Sequence, residues 1–577
     1  MRCATACRAG GGLEWSLMKR WTGLALFLLM AVLFLIANRG AYKGYFSDDE
    51  LDNLSWAPHV PLADFAKALV TPRFMTGNFR PVGHFYFRLA GRAFGLDFPK
   101  YVFPIHAVHL LNVWLLWLLI RRLGGTPFAA SAGALLFAFH MAVFDLYWKP
   151  MYVFDLLCAT FCLASLLLWT HGRWVLSFAA FWLAYKSKEL AVMLPFALAC
   201  YEYWLGRRRW KPLIPFAAAS LSFGLQGLLF NPHRDDEYAF RLDRSSLWNT
   251  SRFYAGRILL LPYAGFAVPF LPAFLRDRRV WFGVAVLLLF FVPLMPLAGR
   301  RFGAYCYVPL IGAAIAFSGI ADRGHRLFVA IFLLAWIPFN FLHLRLNRRQ
   351  ALAMADENRR YVAGVADFAR TSPAMRQFIY DGRPFALHPW GIQGALACVY
   401  RRSDIALAGV EDREAHAALA SGQPVAVLSW DPGARLLSIA ARNPGTPDAS
   451  YIRMDRRTPI WQLDEGWYPL EGGFRWTKPS ATAQLFRPPG ARRFELKVNI
   501  GPDLIRDMGG TEVRVFLDGV PLGARRFTAN GWQAVRWDLP PGPAGSVRVG
   551  IEAQPYRPSN EDPRLLGVAV VGFGFVE

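Results

Sequence analysis

The chain has 577 residues, 54% of them hydrophobic, with a mean hydropathy of +0.25 and a formal charge of +23. The positive mean hydropathy excludes an ordinary soluble enzyme. The placing of the charge excludes nucleic acid as a partner: residues 1–344 carry 34 Lys and Arg against 17 Asp and Glu, while residues 345–577 carry 30 against 24. The basic excess thus lies between long apolar runs, the pattern of a polytopic membrane protein.

The first apolar run, 21–37, follows Lys19-Arg20 and lacks a small-residue cleavage site, so it reads as a retained helix rather than a signal peptide, with Met18 an alternative start. Further runs lie at about 101–120, 127–145, 151–170, 174–187, 189–206, 212–230, 252–275, 280–298, 303–320 and 327–344, which predicts about eleven spans. The short basic turns Arg121-Arg122, Arg173, Arg207 to Arg209, Arg276 to Arg279 and Arg323 to Arg326 alternate along the chain. They place the N-terminus in the cytoplasm and the loop 38–100, the loop 231–251 and the C-terminal part outside. Beyond this membrane domain (1–344), residues 345–375 read as a charged helix. Strand-like pieces at 383–387 and 424–429 suggest a small α/β domain over 345–455. Five short strands at 494–500, 512–517, 534–539, 546–551 and 566–575 suggest a β-sandwich over 456–577.

Cys158, Cys162, Cys200 and Cys306 lie in apolar runs and Cys398 stands alone in the polar part, so no disulfide framework is expected there. There is no CxxC or HExxH, and the 11 His are scattered, which argues against a structural metal site. His106 and His109, like Cys158 and Cys162, read as packing residues.

The first outside loop opens with Ser47-Asp48-Asp49-Glu50-Leu51-Asp52-Asn53. Such crowded carboxylates form either a solvated helix cap or a general base with neighbours that position an acceptor or a cation. The same loop interleaves Arg73, Arg80, Arg88 and Arg92 with Phe74, Phe79, Phe85, Tyr86 and Phe87, which suits a segment facing anionic lipid headgroups. Asp155, inside an apolar run, is costly unless paired. Asp235-Asp236-Glu237 with Asp243 is either a solvated loop or a second acidic contribution to a site. Trp461, Trp467, Tyr468, Phe474 and Trp476 are either a sandwich core or a platform for sugar rings.

Five sequence blocks stand in a recognisable order. They are Asp48-Asp49 with Asn53; Arg80-Pro81, Gly95, His109 and Asn112; His140, Asp145 and Asp155; Ser187-Lys188-Glu189 with Pro195; and Arg300 or Arg301 with Tyr307, Pro309 and Gly312. In these the chain is similar to membrane glycosyltransferases of the GT-C fold, especially the protein O-mannosyltransferase and TMTC-like group, over roughly residues 40–315. Two departures are clear: Val153 stands where that group has Arg, and no tetratricopeptide tail follows.

The resemblance implies transfer of a sugar from a polyprenyl-phosphate donor to an acceptor hydroxyl, protein or glycan, outside the membrane. It implies Asp48, Asp49 and Glu50 as catalytic acids, with Arg80, Lys188, Arg300 and Arg301 as contacts to the donor phosphate. His140, Asp145, Asp155, Glu189 and Tyr307 would serve the acceptor side or support the others. Some relatives hold a divalent cation on such acids and others do not, and no other cofactor is implied. For Lys188, Arg300 and Arg301, anchoring at the membrane interface is the plain alternative. A lipid-linked sugar transporter, and a scaffold displaying a carbohydrate-binding domain, are the rival readings. Arg outnumbers Lys 54 to 10, which fits a GC-rich bacterial genome and hence an inner membrane.

Overall fold

The computed structural model describes residues 25–72, 79–230, 236–324, 326–442, 447–455, 457–558 and 562–577. Met18, the start of the first predicted span, Arg73, Phe74 and Asp235 lie outside the described residues. The chain divides into two compact units, one built from the chain up to Phe46 with Trp56–Ala353, the other from Ser47–Ser55 with Met354–Glu577.

Among the described residues, six helices are long and apolar enough to cross a bilayer: Ala25–Lys43, Pro99–Arg122, Pro127–Trp148, Pro150–Thr170, Gly303–Arg323 and Arg326–Thr371. The chain is a multi-pass membrane protein. Other predicted runs fold as shorter helices, Trp174–Ser187, Leu194–Trp204, Ile214–Phe230 and Arg278–Phe291. The run 252–275 is not one helix. Proline has no N–H to donate, and Pro262, Pro269 and Pro272 divide the run into Arg244–Ile258, a 3-10 segment Ala264–Phe270 and the short helix Leu271–Leu275. The last run does not stop at 344. It continues through the charged stretch as one 46-residue helix, Arg326–Thr371.

Within the first unit, Arg278–Phe291 packs against Tyr307–Arg323 at Gly283 and Gly312, where a Cβ on either would strike the backbone opposite. Small residues at such crossings let apolar helices associate through close van der Waals contact, the dominant attraction available in lipid.

The second unit contains the strands. Its α/β part holds β1 (Gln377–Asp381), β2 (Ala406–Gly409), β3 (Val425–Asp431) and β4 (Leu436–Arg442) in the order β2-β1-β3-β4. β1 runs parallel to β2 and β3, and β4 is antiparallel to β3. The helices Pro389–Tyr400 and Arg413–Ala420 supply the crossovers that parallel pairs require. The strand expected at 383–387 actually precedes that stretch, because Gly382 turns at φ +73 and Pro384 cannot donate to a ladder.

The sandwich follows with β5 (Tyr451–Arg453), β6 (Trp467–Glu471), β7 (Phe474–Thr477), β8 (Ser480–Arg487), β9 (Arg493–Ile500), β10 (Thr511–Leu517), β11 (Val520–Phe527), β12 (Gly531–Asp538), β13 (Gly545–Ala553) and β14 (Ala569–Val576). Its sheets run β11-β10-β13-β8 and β12-β9-β14-β7-β6, with β5 paired to β14. The five predicted strands correspond to β9, β10, β12, β13 and β14. Because β5 joins this sheet, the sandwich begins by residue 451, ahead of the expected boundary after 455.

One apolar core takes Leu496, Val515, Val549 and Phe573 from the sandwich and Ile379 and Val427 from the α/β sheet. Trp467 is part of it, stacked on Phe573 at 5.4 Å with its Nε1 donating to the Thr482 carbonyl, and Trp461, Tyr468 and Trp476 pack against it. These aromatic residues are core material, which accounts for them without a sugar platform.

Candidate functional site

The structure brings three of the four predicted phosphate contacts together in the first unit. Arg80 directly precedes the helix Pro81–Phe94, whose start is set by Pro81 in its first turn. Gly83 lets that helix lie on Phe154, since a Cβ there would overlap the ring. The same ring lies 5.5 Å from the Arg80 guanidinium. Arg80 donates through Nε to both carboxylate oxygens of Glu189, at 2.8 and 3.1 Å. Its backbone N–H donates to His84 Nδ1 at 2.8 Å. Burial, reinforced by the Arg80 charge, pushes His84 down to about 3, so the ring is a neutral acceptor. Burial works against the Arg80 charge, but Glu189 more than restores it, and the net shift is upward.

Lys188 is extended between the helix Trp174–Ser187 and the 3-10 turn Glu189–Met193. Its Nζ donates to Asp155 Oδ1 at 2.6 Å and sits 4.2 Å from the centre of the Tyr305 ring. Asp155 occupies the first turn of the helix Val153–Thr170, where the helix dipole favours a carboxylate. Arg300 is within hydrogen-bonding reach of Tyr305, lies 4.1 Å from the Tyr238 ring, and pairs with Glu237 at 3.4 Å. Its Nε is buried with no partner among the described residues. Tyr305 is therefore the common neighbour of Arg300 and Lys188, and Arg80 also senses it.

This arrangement leaves donors in hand. Glu189 engages Arg80 through Nε, which turns the terminal guanidinium nitrogens elsewhere. The Lys188 ammonium has three protons and Asp155 accepts one. The Arg80 and Glu189 side chains remain 25% and 41% exposed, whereas Lys188 and Asp155 fall to 14% and 3%. One pair is open to a ligand and the other is a fixed support.

The remaining candidates stand elsewhere. Arg301 is solvent-exposed. Tyr307 bonds His109 Nδ1 at 2.8 Å and Asn112 Nδ2 at 3.2 Å, in a buried network that Asn112 extends to the Leu156 carbonyl and Thr160. The predicted second and fifth blocks thus do meet, and they do so as a seam between spans. His140 is buried with Nε2 on the Ile258 carbonyl and Nδ1 accepting from the Ala142 N–H, so both ring nitrogens serve the backbone. Asp145 pairs with Lys149 one turn on, at 3.3 Å. Asp243 caps the helix Arg244–Ile258.

Asp48, Asp49 and Glu50 belong to the second unit. They open the helix Asp48–Trp56. The Glu50 carboxylate accepts from both the Ser47 N–H at 2.9 Å and the Ser47 hydroxyl at 2.5 Å, which ties the residue before the helix to its first turn. The Asp49 carbonyl accepts from Asn53. Asp48 is bound by His388, through the backbone N–H and through Nδ1 at 2.6 Å. Sequence reasoning passed over Tyr305, His84 and His388. Tyr305 lies two residues before Tyr307 in the same block and was within reach, whereas His388 is 340 positions from its partner and carries no local signal.

Among the described residues no three His, Cys, Asp or Glu gather in a group that could hold a metal ion. The family model for dolichyl-phosphate-mannose-protein mannosyltransferase matches residues 80–226. That stretch carries Arg80, Asp155, Lys188 and Glu189, and over it the chain resembles this family, as its sequence blocks implied. No curated protein matches the chain. Among solved structures, ArnT from Cupriavidus metallidurans in the apo state is 13% identical, covering 72% of this chain and 94% of its own, with a TM-score of 0.45. The same enzyme bound to undecaprenyl phosphate is 15% identical over 71% and 93%, at 0.43. The arabinosyltransferase EmbB from Mycobacterium smegmatis is 14% identical over 95% of this chain and 64% of its own, at 0.34.

Proposed function

We propose that the chain is an integral membrane glycosyltransferase that moves a sugar from a polyprenyl-phosphate donor to an acceptor hydroxyl outside a bacterial inner membrane. The observation that carries this reading is the meeting of Arg80, Lys188 and Arg300 around Tyr305, with donors left over after Glu189 and Asp155 are satisfied. Breaking the bond between the anomeric carbon and the phosphate oxygen leaves a phosphate dianion, and fixed cationic donors stabilise that charge as it grows. The family match supports the donor class, since its description names a lipid-phosphate sugar. On the acceptor side a base must take the hydroxyl proton. Direct attack inverts the anomeric carbon. The N-terminus lies in the cytoplasm and residues 345–577 outside.

Purified chain incubated with a radiolabelled polyprenyl-phosphate sugar and a hydroxyl acceptor should release polyprenyl phosphate. Arg80→Gln should lower kcat/KM by about 10²-fold to 10³-fold, the usual effect of losing one preorganised donor to a developing oxyanion. Wild-type rates in that variant would sink the assignment of the cation cluster to the phosphate.

A further inference from the structure

We propose that the face of the sandwich turned away from its core carries a binding site for a sugar unit bearing an anionic group, a carboxylate or a phosphate. The site uses residues of the second unit alone and its test reads binding, so it stands independently of the glycosyl-transfer reading.

Strand register builds the site. Ile452, Leu496 and Phe573 belong to the core. Side chains alternate along a strand, so the neighbours of these three share the opposite face. They are Tyr451 and Arg453 on β5, Gly572 and Gly574 on β14, and Glu495 and Lys497 on β9. Pairing sets Tyr451, Gly574 and Glu495 in one row and Arg453, Gly572 and Lys497 in the next. The middle strand thus offers no side chain between the outer two. What remains is a cleft of about 710 Å³, whose lining also includes Arg457 and Trp461.

An aromatic ring covers the glycines. A Cβ on Gly572 would lie 3.1 Å from the Tyr451 hydroxyl and 3.3 Å from its Cε1, and one on Gly574 would lie 2.5 Å from Tyr451 Cα. The ring therefore rests across this strand, and its hydroxyl donates to Glu495 Oε1 at 3.1 Å. Glu495 also takes Lys497 at 2.9 Å and Arg536 at 2.8 Å, and its side chain is only 3% exposed. Its charge is spent on holding the ring and the ammonium. Lys497, 43% exposed, keeps two further protons to donate. Arg453 and Arg457 are exposed, and among the described residues no carboxylate pairs with either side chain. Asp455, the other acid of the lining, accepts the Arg457 backbone N–H at 2.7 Å.

A flat ring with cations beside it selects one ligand chemistry. The C–H bonds on one face of a sugar are apolar and sit well on the electron-rich face of an aromatic ring. Arg453 and Lys497 stand two strands apart, about 10 Å at their Cα atoms. Two long side chains can close that span on one anion, where a guanidinium and an ammonium form charge-assisted hydrogen bonds. A neutral sugar would leave the cations unused, and a bare anion would leave the ring uncovered. Tyr451 is distinct from the aromatic side chains packed in the core, so assigning them there does not remove this platform.

The test is equilibrium dialysis of the full chain in detergent against four radiolabelled probes: glucuronic acid, α-glucosyl phosphate, glucose and inorganic phosphate. At least one of the anionic sugars should bind about tenfold or more tightly than both glucose and inorganic phosphate. The tighter of the two identifies the anionic group. Arg453→Met should weaken that probe by about tenfold to a hundredfold and leave glucose unchanged. Tyr451→Ala should weaken it by about threefold to tenfold, whereas Tyr451→Phe, which keeps the ring, should not. Equal affinity for glucose and the anionic sugars, or no loss in Arg453→Met, would overturn the inference. So would a loss in Arg80→Gln without one in Arg453→Met, which places the bound sugar in the first unit.

Discussion

The Lys188–Asp155 pair allows a quantitative test of how the cation cluster is built. The two charged atoms are 2.6 Å apart, with side chains 14% and 3% exposed. At an effective dielectric of 20 their attraction is about 6 kcal/mol. Desolvation of both groups takes back several kcal/mol, and a double-mutant cycle should report the remainder, about 1–3 kcal/mol. The single variants should be unequal. Lys188→Met leaves Asp155 buried with no cation bonded to it, a loss of about 3–5 kcal/mol, eased by about 0.3–1 kcal/mol because the carboxylate sits in the first turn of a helix. Asp155→Asn leaves a less buried ammonium that still lies 4.2 Å from the Tyr305 ring centre, so it should lose less. The cycle of Lys188→Met, Asp155→Asn and the double variant can be measured by unfolding in mixed detergent micelles, followed by Trp fluorescence. Additive losses, with a coupling below about 0.5 kcal/mol, would refute the claim that these two residues hold one another in place.

Three further outcomes follow from the geometry. Arg80→Lys should lower kcat/KM by about tenfold to a hundredfold with little change in stability, because an ammonium cannot bond Glu189 and a phosphate with the planar fork that Arg80 provides; steady-state kinetics beside a thermal melt would check this. Burial, reinforced by Asp52, pushes the Cys398 thiol up to about 12, so at pH 8 only about one thiol in 10⁴ is ionised, and iodoacetamide should leave it unmodified by mass spectrometry. Labelling should appear in Gly394→Ala, where the new methyl wedges the helix Asp48–Trp56 away from Cys398. Arg475→Met should destabilise the second unit by about 3–5 kcal/mol, because it strands Asp381, which is fully buried and held by both terminal nitrogens of Arg475; the readout is a denaturant midpoint.

What the sequence disclosed depended on the range over which each signal acts. Long apolar runs and short apolar pieces between turns are local patterns: the latter predicted β9, β10, β12, β13 and β14, and six of the eleven predicted spans are, among the described residues, helices long and apolar enough to cross a bilayer. The run 252–275 misled because composition registers apolarity without counting lost backbone donors. Asp155 was legible as costly unless paired and Lys188 as a cation for a phosphate or a membrane interface, yet nothing local said that they pair with each other. Arg300 was legible as a cation at a membrane boundary, but its seat beside Tyr238 depends on a loop sixty residues earlier. Asp48 shows the limit most clearly. Its acidic neighbours marked it as a base, while its partner His388 comes from a segment with no motif at all. The acids at 48–50 also proved unlike one another, since Glu50 ties Ser47 to the first turn of the helix and Asp48 orients a ring.

The companions of the cations bear on why a phosphate site should contain carboxylates. Three cations with no counter-charge in a poorly solvated place would repel one another. Glu189 on Arg80 and Asp155 on Lys188 remove most of that repulsion while the site is empty. They do so unequally. Asp155 is sealed and bonds the Lys188 ammonium, so it holds Lys188 in place. Glu189 is half-buried and bonds the Nε edge of a guanidinium, so a ligand can use the two remaining nitrogens without displacing it. Arg300 has an exposed counter-ion in Glu237, 68% accessible, and a buried Nε with no acceptor among the described residues. An unpaired buried donor costs about 1–3 kcal/mol, and a phosphate oxygen arriving there would recover it. On the glycosyl-transfer reading, binding therefore draws on Arg80 and Arg300, while Lys188 sets the field in which they act. It follows that Glu237→Gln should tighten binding of free polyprenyl phosphate by removing a competing anion, while Asp155→Asn should weaken it by disordering Lys188. Equal effects of the two substitutions on that affinity, measured by calorimetry in micelles, would show that the carboxylates act only through net charge.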